Sequence, residues 1–349
     1  MVLFLRIFLV LSALFGAGTQ ASAQEFNEIQ AVIKPWLNIN KARSMRHLTR
    51  EIGRDRWLAS YGVFDSAGGM TVTSASHGMG GIYSGSHAAT DSAGWNIWLD
   101  GNGGWLEDTA PLRAYDGSQW SVSLGADTQL TERIIIGGIL NHTGSDVDNV
   151  FLPGNSKTSA FSAGPYAAVF LTDTLVLTGS FLYSWTQNDA SSFAVASSWD
   201  SESWAGNATL TSYHQLGNWL VAPTIGISYD EEREDAYFDT APGPTFFPAV
   251  RTRTGTFAFG GAVSRSFALD GGVVLTPELS VEAEWIFLNA TTATSSVAAD
   301  TRDFDVNATV GTDIEFSEAV SFSISGTVSG LANPTYLSVT AGGRLTVSF

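Results

Sequence analysis

Residues 273–287 read Val273-Val274-Leu275-Thr276-Pro277-Glu278-Leu279-Ser280-Val281-Glu282-Ala283-Glu284-Trp285-Ile286-Phe287. Taken alternately, they separate into two unlike sets. Val273, Leu275, Pro277, Leu279, Val281, Ala283, Trp285 and Phe287 share one face of an extended strand, and Thr276, Glu278, Ser280, Glu282 and Glu284 the other, because successive strand side chains point to opposite sides. Three carboxylates on one face demand water, while the opposite face is continuously apolar; a strand between hydrocarbon and a hydrated lumen satisfies both. The next segment repeats the pattern, with Phe304, Val306, Ala308, Val310, Ile314 and Phe316 opposite Asp303, Asp305, Asn307, Thr309, Asp313 and Glu315. The chain ends the same way, on Val339, Ala341, Gly343, Leu345, Val347 and Phe349, with Arg344 the one charge among the intervening residues.

Working outward, strand-like segments fall near residues 95–107, 118–130, 133–146, 156–171, 175–188, 201–216, 219–233, 252–269, 273–288, 302–316, 319–331 and 334–349. Each is long enough to cross a bilayer at a tilt. Short turns such as Leu171-Thr172-Asp173-Thr174 alternate with longer connections at 108–117, 189–200, 234–251 and 289–301. This predicts an all-β fold: a twelve-stranded antiparallel transmembrane β-barrel with a short N-terminal helical segment, its short turns and both chain ends on the periplasmic side. A soluble sandwich also alternates. Strand length, the aromatic excess of 11 Trp, 21 Phe and 9 Tyr, the terminal Phe349 and an N-terminal leader favour the barrel.

That leader spans residues 1–23: Arg6, the apolar block Ile7 to Ala17, then Ala21-Ser22-Ala23, a small-x-small cleavage site of an exported protein. Beyond it no window of ~18 apolar residues occurs, which excludes helical spans. With no cysteine, stability is expected from a large closed sheet rather than disulfides. Net charge is −17 and unevenly placed: residues 34–56 hold Lys34, Lys41, Arg43, Arg46, Arg50, Arg54 and Arg56, whereas beyond residue 56 there are nine basic and 30 acidic side chains. Nucleic acid is excluded as a partner of such a body.

Residues 24–60 are expected to form a basic amphipathic helical segment, with Ile29, Ile33, Trp36, Leu37, Leu48, Ile52, Trp57 and Leu58 at helical spacing and a break near Pro35. Neither of the acids between Lys34 and Arg56, Glu51 and Asp55, lies four residues from a Lys or Arg, so the basic face is expected to be largely unpaired within its own helix. Residues 61–94, rich in Gly, Ser and Ala, read as a linker, and residues 95–349 as the barrel.

The sequence resembles the translocator domain of the autotransporter family of type V secretion over about residues 90–349. The resemblance rests on Trp95-Asn96-Ile97-Trp98, on Tyr115-Asp116-Gly117 before Trp120, on Leu124-Gly125-Ala126-Asp127 followed by Leu130-Thr131-Glu132-Arg133, on Gly164-Pro165-Tyr166-Ala167-Ala168, and on Leu345-Thr346-Val347-Ser348-Phe349. It implies a twelve-stranded barrel threaded by a helix, and a terminal aromatic read by the barrel-assembly machinery, with Leu345, Val347 and Phe349 as the signal. It also implies a passenger upstream. Only about 70 residues separate the leader from Trp95, without solenoid repeats, so a short displayed segment is expected rather than a large passenger.

Twelve tilted strands leave a lumen of about 10 to 12 Å, which is the diameter of one helix. The basic segment and the inward acids Glu278, Glu282, Glu284, Asp305 and Asp313 therefore match as plug and socket, and Arg344 is expected to join those acids. The function expected is an outer-membrane barrel moving or displaying a short N-terminal segment. The alternatives are a passive pore plugged by its helix, and a surface or adhesion protein acting through loops 189–200 and 234–251 with Phe193, Trp199, Phe246 and Phe247. Expected partners are outer-membrane lipid and lipopolysaccharide and the assembly machinery, with a monomeric barrel. No enzyme, cofactor or metal site is expected: His142 near Asp146 and Asp148 reads as solvated loop, as does the acidic run Asp230-Glu231-Glu232, Glu234, Asp235, although divalent cations there could bridge to lipopolysaccharide.

Overall fold

The computed structural model describes residues 43–54, Trp57, the strand backbones Gly62–Phe64 and Met70–Val72, and residues 94–349 apart from 111–113, 151–153, 193–194, 292–302 and positions 242 and 318. Twelve long strands make up the sheet. They are β1 (Trp95–Asp108), β2 (Tyr115–Thr131), β3 (Ile134–Asn149), β4 (Gly154–Phe170), β5 (Leu175–Ser192), β6 (Val195–Ser212), β7 (Trp219–Glu234), β8 (Val250–Ser264), β9 (Val274–Thr291), β10 (Phe304–Ser317), β11 (Val320–Ser329) and β12 (Tyr336–Ser348).

Each strand pairs antiparallel with the next, and β12 returns to β1 from Tyr336↔Asp108 to Ser348↔Asn96, closing the ring. Followed from partner to partner, the register returns to β1 displaced by about 14 residues, a stagger that tilts the strands about 40°. Closure leaves no open edge.

Burial in this barrel is inverted relative to a soluble protein. Ile97, Leu99, Val122, Leu124, Leu140, Ile225, Ile227, Val281 and Val310 are exposed, whereas Ser123, Asn141, Ser162, Ser184, Thr209, Thr224, Ser228 and Glu284 are buried. A sandwich would show the reverse, so the pleat itself settles the alternative in favour of a lipid-facing barrel.

One end gathers both termini of the barrel and the turns between β2 and β3, β4 and β5, β6 and β7, β8 and β9, and β10 and β11; the other carries the remaining connections. One of these is much shorter than expected. β5 runs to Ser192 and β6 starts at Val195, so most of 189–200 is strand rather than loop. Within it Trp199 is buried and stacks on Tyr237 at 4.5 Å, because its odd position points it into the lumen mouth. Of the other loop aromatics, Phe246 is exposed, Phe247 is half-buried against Tyr237, and Phe193 lies outside the described residues.

Helix α1 (residues 43–54, with Trp57 also helical) lies inside the barrel. Among the described residues of 61–94, Gly62–Phe64 pairs with Met70–Val72 in a small ribbon.

Candidate functional site: the helix in the lumen

Helix α1 carries two stripes. Arg43, Arg46, Arg50 and Arg54 recur at helical spacing on one, and Met45, Leu48 and Ile52 on the other. The barrel wall is divided to match.

Strands β9 and β10 supply the acids, since their even and odd positions respectively point inward. Arg43 donates to Glu284 and, at 2.7 Å, to Asp305. Arg46 reaches Glu284, Glu282 at 3.1 Å, and the hydroxyls of Ser228 at 2.9 Å and Thr256 at 3.1 Å. Arg50 reaches Glu278 at 3.3 Å. Arg54 pairs with Glu278 at 2.5 Å and with Asp313. Each of the five predicted lumen acids thus meets the helix. Arg344 is buried in the wall of the same lumen, with Asp100 and Ser323 as its register partners.

One expectation fails. Glu51 pairs within the helix, with Arg54 at 2.6 Å and Arg50 at 3.4 Å, because an i,i+3 step brings side chains together as well as an i,i+4 step does. Of the remaining plug candidates, Lys34, Lys41 and Arg56 lie outside the described residues.

The apolar stripe meets a wall that sequence reading assumed to be wet. Met45, Leu48 and Ile52 pack with the inward side chains Trp98, Ile139, Tyr166 and Leu182 in one buried cluster. Burying three such side chains stabilises the docked helix by roughly 1.5 to 3 kcal/mol each. Trp98 donates its indole N–H to the Tyr166 hydroxyl at 2.8 Å, which donates to Asp127 at 2.7 Å. Gly125 and Gly137 provide the floor for these rings, for a Cβ on either would overlap Trp98 or Tyr166. The signal was available: Trp98 and Tyr166 stand at inward positions of their strands, where a large ring needs something to pack on.

Below this, Trp57 is fully buried, stacks on Tyr213 at 4.6 Å and donates its indole N–H to the Asp173 carbonyl at 2.7 Å. Asp173 belongs to the β4–β5 turn, at the terminus end of the barrel. Arg43 meets acids nearer the middle of β9 and Arg54 acids nearer its start, so the helix axis runs from the loop end toward the terminus end. Gly53 allows the close approach there, since a Cβ would sit 2.8 Å from the Thr178 methyl.

Beside the helix, a cavity of about 270 Å³ remains, lined by Asp100, Asn102, Thr143, Ser325 and Thr340 among others.

The residues weighed for catalysis or cation binding are placed differently from expectation. His142, Asp146 and Asp148 lie on strand β3 rather than a loop, facing outward, with His142 tilted against Trp120 at 5.1 Å and Asp146 paired to Lys157 at 3.1 Å. The acidic run 230–234 is strand β7, and the pleat splits it, sending Asp230 and Glu232 inward and Glu231 outward.

The family model of the autotransporter β-domain matches residues 97–330. The chain belongs to the autotransporter family. Solved autotransporter structures share its fold. The translocator domain of NalP from Neisseria meningitidis superposes with a TM-score of 0.59 at 14% identity, over 75% of this chain and 90% of that one. The β domain of the Bordetella autotransporter BrkA gives 0.58 at 16% over 72% and 98%, and the transport unit of AIDA-I from Escherichia coli 0.58 at 9% over 72% and 90%. No curated protein sequence matches the chain. This autotransporter barrel is therefore a bacterial outer-membrane β-barrel.

Proposed function

We propose that the barrel translocates and displays the segment preceding helix α1, and that the helix then stays in the lumen as a plug. The observation that carries this is the direction of α1: its first described residue, Arg43, is held toward the loop end and its last turn toward the terminus end. With the termini of the barrel in the periplasm, the chain upstream of Arg43 leads outward. Residues 1–23 act as a cleaved leader, Leu345, Val347 and Phe349 as the signal for the assembly machinery, and lipid and lipopolysaccharide as the surroundings of a monomeric barrel.

A short epitope tag near residue 30 is expected to be open to antibody and protease on intact cells, and the same tag near residue 65, on the other side of the helix, to be shielded. A tag at 30 that is reached only after the outer membrane is broken overturns the display reading.

A passive pore is the second reading, supported by the cavity beside the helix.

A further inference from the structure

The ion pairs of helix α1 choose the side of the lumen it lies against more sharply than they choose its height. Arg46, Arg50 and Arg54 are four residues apart, close to one turn, so a helix moved about 5.4 Å toward the loop end puts Arg50 in the place of Arg46 and Arg54 in that of Arg50. Glu282, Glu284 and Glu278, which hold Arg46 and Arg50, then still face arginine. Only the contacts at the two ends of the ladder are given up, Arg43 with Asp305 and Arg54 with Asp313. The apolar stripe repeats in the same way, with Ile52 falling where Leu48 was.

The last turn does not repeat. Trp57 is fully buried among Ile135, Phe170, Val176, Tyr213 and Leu220, inward side chains at the terminus end of β3 to β7. Its socket is braced on the β4–β5 turn: the Trp57 indole N–H donates to the Asp173 carbonyl at 2.7 Å, and the Tyr213 backbone N–H to the next carbonyl, that of Thr174, at 2.8 Å. One turn above stands Gly53, where a Cβ alone would lie 2.8 Å from the Thr178 methyl. A helix advanced one turn toward the loop end carries the Trp57 indole into the place of Gly53, where it does not fit. A helix withdrawn one turn brings Thr49 against the same methyl. A glycine and a tryptophan one turn apart therefore match this close-packed wall at a single height.

We infer that Trp57 is the stop that ends outward movement of the chain. The segment upstream passes through the lumen, the helix follows with its arginines stepping along the acids of β9 and β10, and movement halts when the indole seats on Tyr213. Trp57 is thus a positioning residue, setting which turn of the helix each lumen acid holds. The inference rests on the display reading, in which the chain leaves by the loop end.

The chain has no cysteine, so introduced pairs report the height of the helix without background. Asn102 on β1 donates its amide to the Ser44 hydroxyl at 3.5 Å. Gln119 on β2, opposite Gly104, is the next inward position toward the loop end. Barrels purified from outer membranes are treated with a short thiol cross-linker. With Trp57 in place, S44C/N102C is expected to cross-link, and S44C/Q119C at least about threefold less, since the two wall positions differ in height by roughly one helical turn. Trp57→Ala is expected to reverse that order. Tyr213→Ala, which opens the socket from the barrel side, is expected to do the same and keeps the test available if Trp57→Ala does not assemble. Trp57→Phe retains a ring for the socket and is expected to retain the order. An assembled Trp57→Ala or Tyr213→Ala barrel with the unaltered order overturns the stop, as does a Trp57→Phe barrel that loses it. The height of the helix in purified barrels does not depend on whether residue 30 reaches the cell surface, so this inference and the display reading fail separately.

Discussion

Glu284 receives guanidinium contacts from both Arg43 and Arg46, accepts the Asn307 amide at 3.2 Å, and has none of its side chain exposed. Truncating it leaves two buried arginines short of a partner, a loss of about 3 to 5 kcal/mol in such surroundings. Glu284→Ala is therefore expected to speed amide exchange over residues 43–54 by about a hundredfold or more while the strands stay protected. Hydrogen exchange read by mass spectrometry checks this. Unchanged protection of the helix would assign its retention to the apolar stripe and the remaining ion pairs, such as Arg54 with Glu278, and not to Glu284. At this scale the acids were legible in the sequence because a carboxylate on an alternating strand has only the wet side to face; the apolar partners of the helix were not, because inward positions were read as uniformly polar.

Strand β12 is the element on which closure depends, hydrogen-bonded to β11 on one side and β1 on the other. Its outward side chains include Leu345, which is exposed, and Phe349, 74% exposed just past the strand, so neither is part of the packed interior. Phe349 contributes one seam contact, its N–H to the Trp95 carbonyl at 3.0 Å. Deleting Phe349 is expected to lower the yield of assembled barrel several-fold in cells while the assembled fraction keeps its heat-modifiable migration on a denaturing gel. A normal yield would remove Phe349 from the assembly signal; an assembled fraction that unfolds without heating would make its role structural. The strand was readable from its period alone. The extent of β5 and β6 was not, since Asp189 to Asp200 holds Ser and Ala that fit a loop as easily as a pleat, and only pairing across the hairpin lengthens it.

In the whole molecule, the described helix lies in the lumen with a cavity of about 270 Å³ beside it. Deleting residues 25–60 is expected to raise single-channel conductance in planar bilayers severalfold, because a lumen of about 10 to 12 Å then opens to ions. Unchanged conductance would mean that the helix does not limit passage. The Glu284→Ala variant should lie between the two, flickering between levels as the helix loosens.

The alternation of the chain by itself determined that each strand would present one apolar and one polar face and which acids would share the polar one, since the period of two is a local property of extended backbone. Tertiary structure alone decided what those acids meet and where the scarce arginines gather. Arg43 lies 241 residues from Glu284, and Glu231 and Arg251 face the same side only because β7 and β8 pair at that register. Partnership between distant residues is set by strand register and barrel stagger, which no local pattern encodes.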